Sequence, residues 1–174
     1  RFVGITDRAD TYRSDLRKGV AWDVNYLGQI TGRELKFGLG FLYQGSAYKN
    51  THDTGADKIY MHYMAPQVAL TMVQKHYQLQ FSGGIGYQLY RDKSTVYDKP
   101  RKVTMSKFAG NLSLSGEYFL SSHWGASARV NWLASSSESY SVKYHNVEWD
   151  VESPRAGSGY FGQLSLLFGL NYHF

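Results

Sequence analysis

The chain contains no cysteine. This excludes disulfide frameworks, thiolate metal sites and a lipid anchor on an N-terminal Cys. Charge is also scarce: Asp, Glu, Lys and Arg make up 19% of 174 residues, against about a quarter in ordinary globular proteins. No apolar run approaches the ~18 residues that a membrane-crossing helix needs, and mean hydropathy is −0.43. Arg1-Phe2-Val3 does not open a charged-then-apolar leader. A signal peptide is therefore expected to be absent from these residues, with further residues expected upstream. The formal charge of +5 is that of ordinary solvated Lys and Arg. No cofactor or metal site is expected.

Low hydropathy does not make the chain soluble, because a transmembrane strand shows lipid only at every second residue. Aromatic residues are abundant at 16%, with fifteen Tyr and four Trp. The last sixteen residues alternate. Tyr160, Leu164, Leu166, Phe168, Leu170, Tyr172 and Phe174 share one face, and Gln163, Ser165, Gly169, Asn171 and His173 the other. Period-two alternation marks a strand whose faces meet different surroundings.

The same pattern recurs upstream. Trp124–Ala134 pairs with Phe108–Leu120 through Ser121-Ser122-His123, and Tyr77–Leu89 pairs with Met64–Met72 through Gln74-Lys75-His76. Leu35–Tyr43 pairs with Val20–Tyr26 through Thr31-Gly32-Arg33, and Phe2–Thr6 supplies an eighth strand. Pro66 falls in mid-strand, where it cannot donate to the ladder, so a bulge is expected there. The connections near 9–17, 49–58, 91–102 and 137–158 read as long polar loops and alternate strictly with the short turns. An up-and-down meander places all long loops at one end. The expectation is a single domain over 1–174: an all-β, eight-stranded antiparallel up-and-down transmembrane β-barrel, with periplasmic termini and extracellular long loops.

A soluble barrel would show the same alternation turned inside out, and residue types separate the two. A water-facing surface would be dominated by Lys and Glu. The polar face instead carries Gln, Asn, Ser and Gly, with Asp23, Lys36, Glu117 and Arg129 as its few charges. Small neutral groups suit a crowded interior whose polar atoms bond one another. The apolar face carries Tyr and Trp near strand ends, the place of interfacial aromatic girdles.

The chain resembles the small eight-stranded outer-membrane barrels of the OmpA-barrel and OmpX-like group. Its ending, Leu166-Leu167-Phe168-Gly169-Leu170-Asn171-Tyr172-His173-Phe174, is similar to their C-terminal assembly signal. The resemblance implies that Phe168, Leu170, Tyr172 and Phe174 are read by the outer-membrane assembly machinery. The Tyr-rich strands and His62-Tyr63-Met64-Ala65-Pro66-Gln67 resemble barrels of the Bacteroidetes type.

Four features compete as functional sites. Glu117 and Arg129 are expected to pair across a hairpin, and Asp23 and Lys36 to form a second lumen pair. Eight strands leave little free lumen, so a permanent plug is favoured over a gated channel. Barrels of this kind include lipid A acyl hydrolases and acyltransferases. The His-x-Ser motif that such a hydrolase would carry is missing, and His62 and Ser106 lie two strands apart, so the chain is read as not an enzyme. The basic stretch at 91–102, with Arg91, Lys99, Arg101 and Lys102, suits contacts to lipopolysaccharide phosphates. Nucleic acid is not expected, because no aromatic platform adjoins the basic residues. In 137–158, Tyr140, Val142, Tyr144 and Trp149 keep the strand period, so strands continuing above the membrane are expected. These either offer an edge to a protein partner or fold back as a hairpin on neighbouring loops. The leading reading is a barrel acting through its extracellular face in adhesion or a surface complex, with a structural envelope role close beside it.

Overall fold

A computed structural model describes residues 19–31, 35–52, 55–96, 99–137, 139–144, 147–152 and 159–174. They form nine strands: β1 (Gly19–Thr31), β2 (Leu35–His52), β3 (Gly55–Val73), β4 (Tyr77–Val96), β5 (Lys99–Phe119), β6 (Trp124–Ser137), β7 (Ser139–Tyr144), β8 (Val147–Glu152) and β9 (Gly159–Tyr172). Seven make one antiparallel meander in the order β1-β2-β3-β4-β5-β6-β9, and β7 and β8 form a hairpin attached to β5. The expected strand Phe2–Thr6 and the loop at 9–17 lie outside the described residues. Among the described residues no helix is long and apolar enough to cross a membrane; the crossing elements are strands.

Directly opposed residues share a face of a sheet, so each level of the sheet is a row of one character. Leu39, Val68, Gly83, Leu112, Trp132 and Leu164 are in register, and so are Gly40, Gln67, Gly84, Asn111, Leu133 and Gln163. In the first row every large apolar side chain is exposed, on the convex face. In the second, Gln67, Asn111, Leu133 and Gln163 are buried on the concave face. Amides and hydroxyls inside with leucines and aromatics outside is the distribution a barrel adopts in lipid. In water so large an apolar surface would be an aggregation hazard.

Pro66 interrupts the sheet locally. Its ladder to β4 lapses at Ala65 and Pro66 and resumes at Gln67↔Gly84 with the register unchanged. The expected bulge is therefore absent there, and the register shift of this sheet lies instead between Gln29 and Thr31. Pro66 has no N–H to donate. The β4 backbone closes in at that level because Gly84 and Gly86 face it; a Cβ on either would run into the Pro66 or Met64 carbonyl oxygen. The sheet curls far enough to bring β9 near β1, with no ladder between the two among the described residues.

The described strands differ in length. β1, β6 and β9 have 13, 14 and 14 residues, whereas β3, β4 and β5 have 19, 20 and 21. The segments expected as loops at 49–58 and 91–102 are mostly strand: β2 runs to His52, β3 starts at Gly55, β4 runs to Val96 and β5 starts at Lys99. Above the lipid both faces of a strand meet polar surroundings, so the hydrophobic alternation that betrays a strand disappears while the ladder continues.

Candidate functional site

The lumen holds a chain of side-chain hydrogen bonds. Tyr63 is almost fully buried, and its hydroxyl lies 3.0 Å from Asn111 Oδ1 and 3.2 Å from the Gly84 carbonyl oxygen. Asn111 Nδ2 donates to Asn131 Oδ1 at 3.1 Å, and Asn131 Nδ2 donates to Gln44 Oε1. Gln44 Nε2 reaches Ser165 Oγ at 3.4 Å. This relay runs through β3, β5, β6, β2 and β9, so it ties together the two ends of the curled sheet. Ser82 with Ser113 (2.7 Å) and Ser135 with Gln88 (2.8 Å) add further links. In a low-dielectric interior each link costs dearly if broken, because the partner left behind is desolvated.

Two expected ion pairs are exchanged for others. Arg129 Nη1 lies 2.5 Å from Asp23 Oδ2, across the lumen rather than along the hairpin to Glu117. Glu117 instead accepts from Gln78 Nε2 at 2.7 Å and Asn171 Nδ2 at 2.5 Å, with His173 Nε2 at 2.6 Å. Arg129 is in register with Ser115 and Glu117 with Ser127, so the two charges occupy different levels. Lys36 does not meet Asp23. It lines a cavity of about 490 Å³ at the short-turn end, together with Lys75, His76, Gln78, Ser121 and His173. His173, on the polar face of the final strand, is the Glu117 partner that sequence reasoning missed. Tyr63 was missed too, although its place two residues before Ala65 and four before Gln67 puts it on the same inward face.

Above the lipid the concave face carries a second polar group. Asp57, Ser94 and Arg101 are in register, one level beyond Asp92. Asp57 and Asp92 are both buried. Arg101 Nη2 lies 3.7 Å from Asp92 Oδ2, and Arg101 Nε donates to Ser94 Oγ at 3.0 Å. Burial pushes the Asp92 carboxyl up to about 6; the Asp57 charge adds to this, and Arg101 pulls it partly back. Of the four basic residues expected at lipopolysaccharide, Arg101 thus turns inward to this group. Arg91 and Lys102 are exposed on the convex face, and Lys99 opens β5 with its side chain outside the described residues.

The hairpin expected in 137–158 is present as β7 and β8. β7 joins β5 in register (Val103↔Val142, Arg101↔Tyr144), so the hairpin folds onto its neighbour, while β8 pairs only with β7 among the described residues. Tyr140, Val142, Tyr144 and Trp149 occupy strand positions in it; their side chains lie outside the described residues. Phe168, Leu170, Tyr172 and Phe174 are all exposed on the convex face, and the Tyr172 ring packs edge-on against Trp124 and Phe174. His62 and Ser106 stay apart, with Leu89 of β4 in register between them. The His62 Nδ1 is engaged by the Tyr43 hydroxyl at 2.8 Å. Among the described residues no three His, Asp or Glu side chains gather as a metal site.

Comparison with known structures agrees with this geometry. The chain is similar to the outer membrane protease OmpT of Escherichia coli, with a TM-score of 0.55 and 14% identity over 90% of this chain. It spans 64% of that chain's length. The fold is that of an outer-membrane β-barrel. No protein-family model matches, and neither does any curated protein. The reading of the chain as not an enzyme is overturned by the same likeness, because the shared scaffold is one that carries a protease. A missing His-x-Ser motif spoke only to one chemistry, whereas the scaffold accommodates others.

Proposed function

We propose that this outer-membrane barrel acts through its tall end as an adhesion or surface-complex component that takes up an extended segment of a partner protein along β8. One observation carries the reading: β7 extends the sheet from β5, and β8 presents its outer edge with no pairing strand among the described residues. An open edge offers a row of backbone donors and acceptors, the means by which sheets add a strand from another chain. β8 reads Val-Glu-Trp-Asp-Val-Glu, with acids at alternate positions, which favours a strand with alternating Lys or Arg. A structural envelope role is compatible with the same barrel. Short turns and termini facing the periplasm follow the usual form of these barrels. The exposed alternate residues Phe168, Leu170, Tyr172 and Phe174 serve as the assembly signal in this reading.

Two proline variants test it. In an antiparallel pair, consecutive N–H groups along a strand point to opposite sides. Of Trp149→Pro and Asp150→Pro, one therefore disrupts pairing with β7 and the other removes only a donor at the open edge. The edge variant should keep the folded hairpin, by hydrogen exchange, and lose a partner that co-extracts in stoichiometric amount with the native protein. Deleting residues 141–152 should leave the barrel folded and abolish the same partner. A partner kept by the deletion variant would refute the reading.

A further inference from the structure

Lysines from five strands align in one register row, and the four on β2 to β5 are exposed on the convex face above the lipid. Lys49 of β2 opposes Lys58 of β3, Lys58 opposes Lys93 of β4, Lys93 opposes Lys102 of β5, and Lys102 opposes Lys143 of β7. Lys49, Lys58, Lys93 and Lys102 are all exposed, and none has an ion-pair partner among the described residues. The inward direction belongs to their neighbours: Asp57, Ile59, Asp92 and Ser94 are buried. Arg91 is exposed one outward level below, in register with Tyr60 and Thr104.

Such a row opposes sheet formation. Directly opposed side chains stand about 5 Å apart, and like charges at that spacing repel. On β2 to β5 the same face supplies no relief. The level above is Thr51, Ala56, Thr95 and Pro100, and the level below is Ala47, Tyr60, Arg91 and Thr104. No carboxylate stands at any of these levels on β2 to β5. Four exposed cations on adjacent strands, with a fifth lysine in register beside them, match a multiply charged anion that spans several strands.

The position of the row in the membrane selects the anion. The level of His62, Leu89 and Ser106 is next above the exposed Met64, Tyr87 and Phe108. Lys93 lies four residues beyond Leu89, or about 10 Å along the membrane normal for a strand tilted by about 40°. Lysine stems reach several ångströms back towards the interface while the ammonium stays solvated. At the same tilt in-register neighbours step about 3 Å along the normal from strand to strand, so the row climbs obliquely through the headgroup layer, on the surface that faces lipid.

We infer that this lysine row, with Arg91 beneath it, binds the phosphate groups of anionic lipid headgroups in the surrounding leaflet, and in particular bulky headgroups with more than one phosphate. The inference rests on the membrane placement of the barrel and is independent of any partner at β8. Bound phosphates neutralise the repulsion across β2, β3, β4 and β5 and so tighten the tall wall. Of the basic residues first expected at lipopolysaccharide, Arg91 and Lys102 belong to this row, whereas Arg101 faces inward. The row itself is invisible along the sequence, because its members come from four separate hairpin arms and a fifth strand, and only register aligns them.

The native barrel in phosphatidylcholine nanodiscs, and in discs where bisphosphorylated lipid A replaces part of the phosphatidylcholine, provides the test. Native protein should gain about 5 °C or more in unfolding temperature with lipid A, and about 1 M NaCl should remove the gain. The variant with all five lysines changed to Gln should gain nothing from lipid A, yet be at least as stable as native protein in phosphatidylcholine. The five-Arg variant should keep the gain. An equal gain in native and five-Gln proteins would overturn the inference, and so would a native gain that salt leaves intact, an arm that needs no variant to fold. Inorganic phosphate reproducing the full gain in phosphatidylcholine would also overturn it, in favour of a free-ion site. Failure of the native chain to insert into any disc would instead strike the membrane placement on which it rests.

Discussion

Leu166→Arg tests the facing of the whole barrel from one position. Leu166 is exposed on the convex face of β9, in register with Val130 of β6. It lies six residues from Tyr172 at the short-turn end, about 20 Å along the strand. A tilt of about 40° turns this into roughly 15 Å along the membrane normal, a little past the middle of an apolar band about 25 Å tall. An arginine at mid-membrane on the lipid face costs about 2–4 kcal/mol, falling to about 0–1 kcal/mol near the interface. Leu170 is two residues from Tyr172, roughly 5 Å above it by the same geometry, so Leu170→Arg supplies the shallow comparison on the same strand and face. Reversible urea unfolding from phospholipid vesicles, followed by tryptophan fluorescence, should rank native, Leu170→Arg and Leu166→Arg in falling stability. Equal costs at the two depths, or a harmless Leu166→Arg, would refute the assignment of the convex face to lipid. Ser165 beside it is buried and within 2.9 Å of Gln163 Nε2, so its response to substitution reports lumen packing and carries no dependence on lipid thickness.

Three further outcomes follow from the interior and the tall wall. Asp23→Ala should cost about 3 kcal/mol in urea unfolding, because the partly buried Arg129 loses its carboxylate, whereas Asp23→Leu combined with Arg129→Met should recover most of that loss. The raised Asp92 carboxyl favours the protonated folded form. Its stabilising contribution is therefore full below the unfolded value near 4 and is lost as pH rises through about 6. Asp92→Asn should accordingly be more stable than native at pH 7.5 and similar at pH 4; a native protein that gains stability over this rise relative to the variant would contradict the sign. The relay from Tyr63 to Ser165 crosses the lumen, so planar-bilayer recordings should show no steady current. Steady conductance that rises in Tyr63→Ala would fit a plug loosened at that residue, and conductance already present in native protein would refute a closed lumen.

The sequence was readable where the two faces of a strand differ in chemistry and hard to read where they do not. Leu166 against Ser165, or Phe81 against Ser82, announces lipid and lumen directly, and Gln74-Lys75-His76 marks a turn by its break in alternation. From 91 to 102 both faces are mostly polar, and β4 and β5 continue where the lost alternation predicts a loop. Charged pairs failed for a different reason. Glu117 and Arg129 are close along the chain, but the Asp23–Arg129 contact joins residues 106 positions apart and depends on how far the sheet shears as it closes, which no local pattern encodes. The final strand could be aligned with its face, yet His173 as the partner of Glu117 needed the same closure. Catalysis could not be excluded from one absent motif, since a scaffold sets only where chemistry can be placed.

The length of the strands beyond the lipid gives the molecule a wall with two chemistries. β3, β4 and β5 run on above the apolar levels, and β7 and β8 widen the same wall from β5. Its concave side holds the buried carboxylates of Asp57 and Asp92, while its convex side shows the exposed ammonium groups of Lys58, Lys93 and Lys102. One sheet a single residue thick thus keeps opposite charges on its two surfaces, and whatever meets it from the lipid side meets a different molecule from whatever meets it from the lumen side.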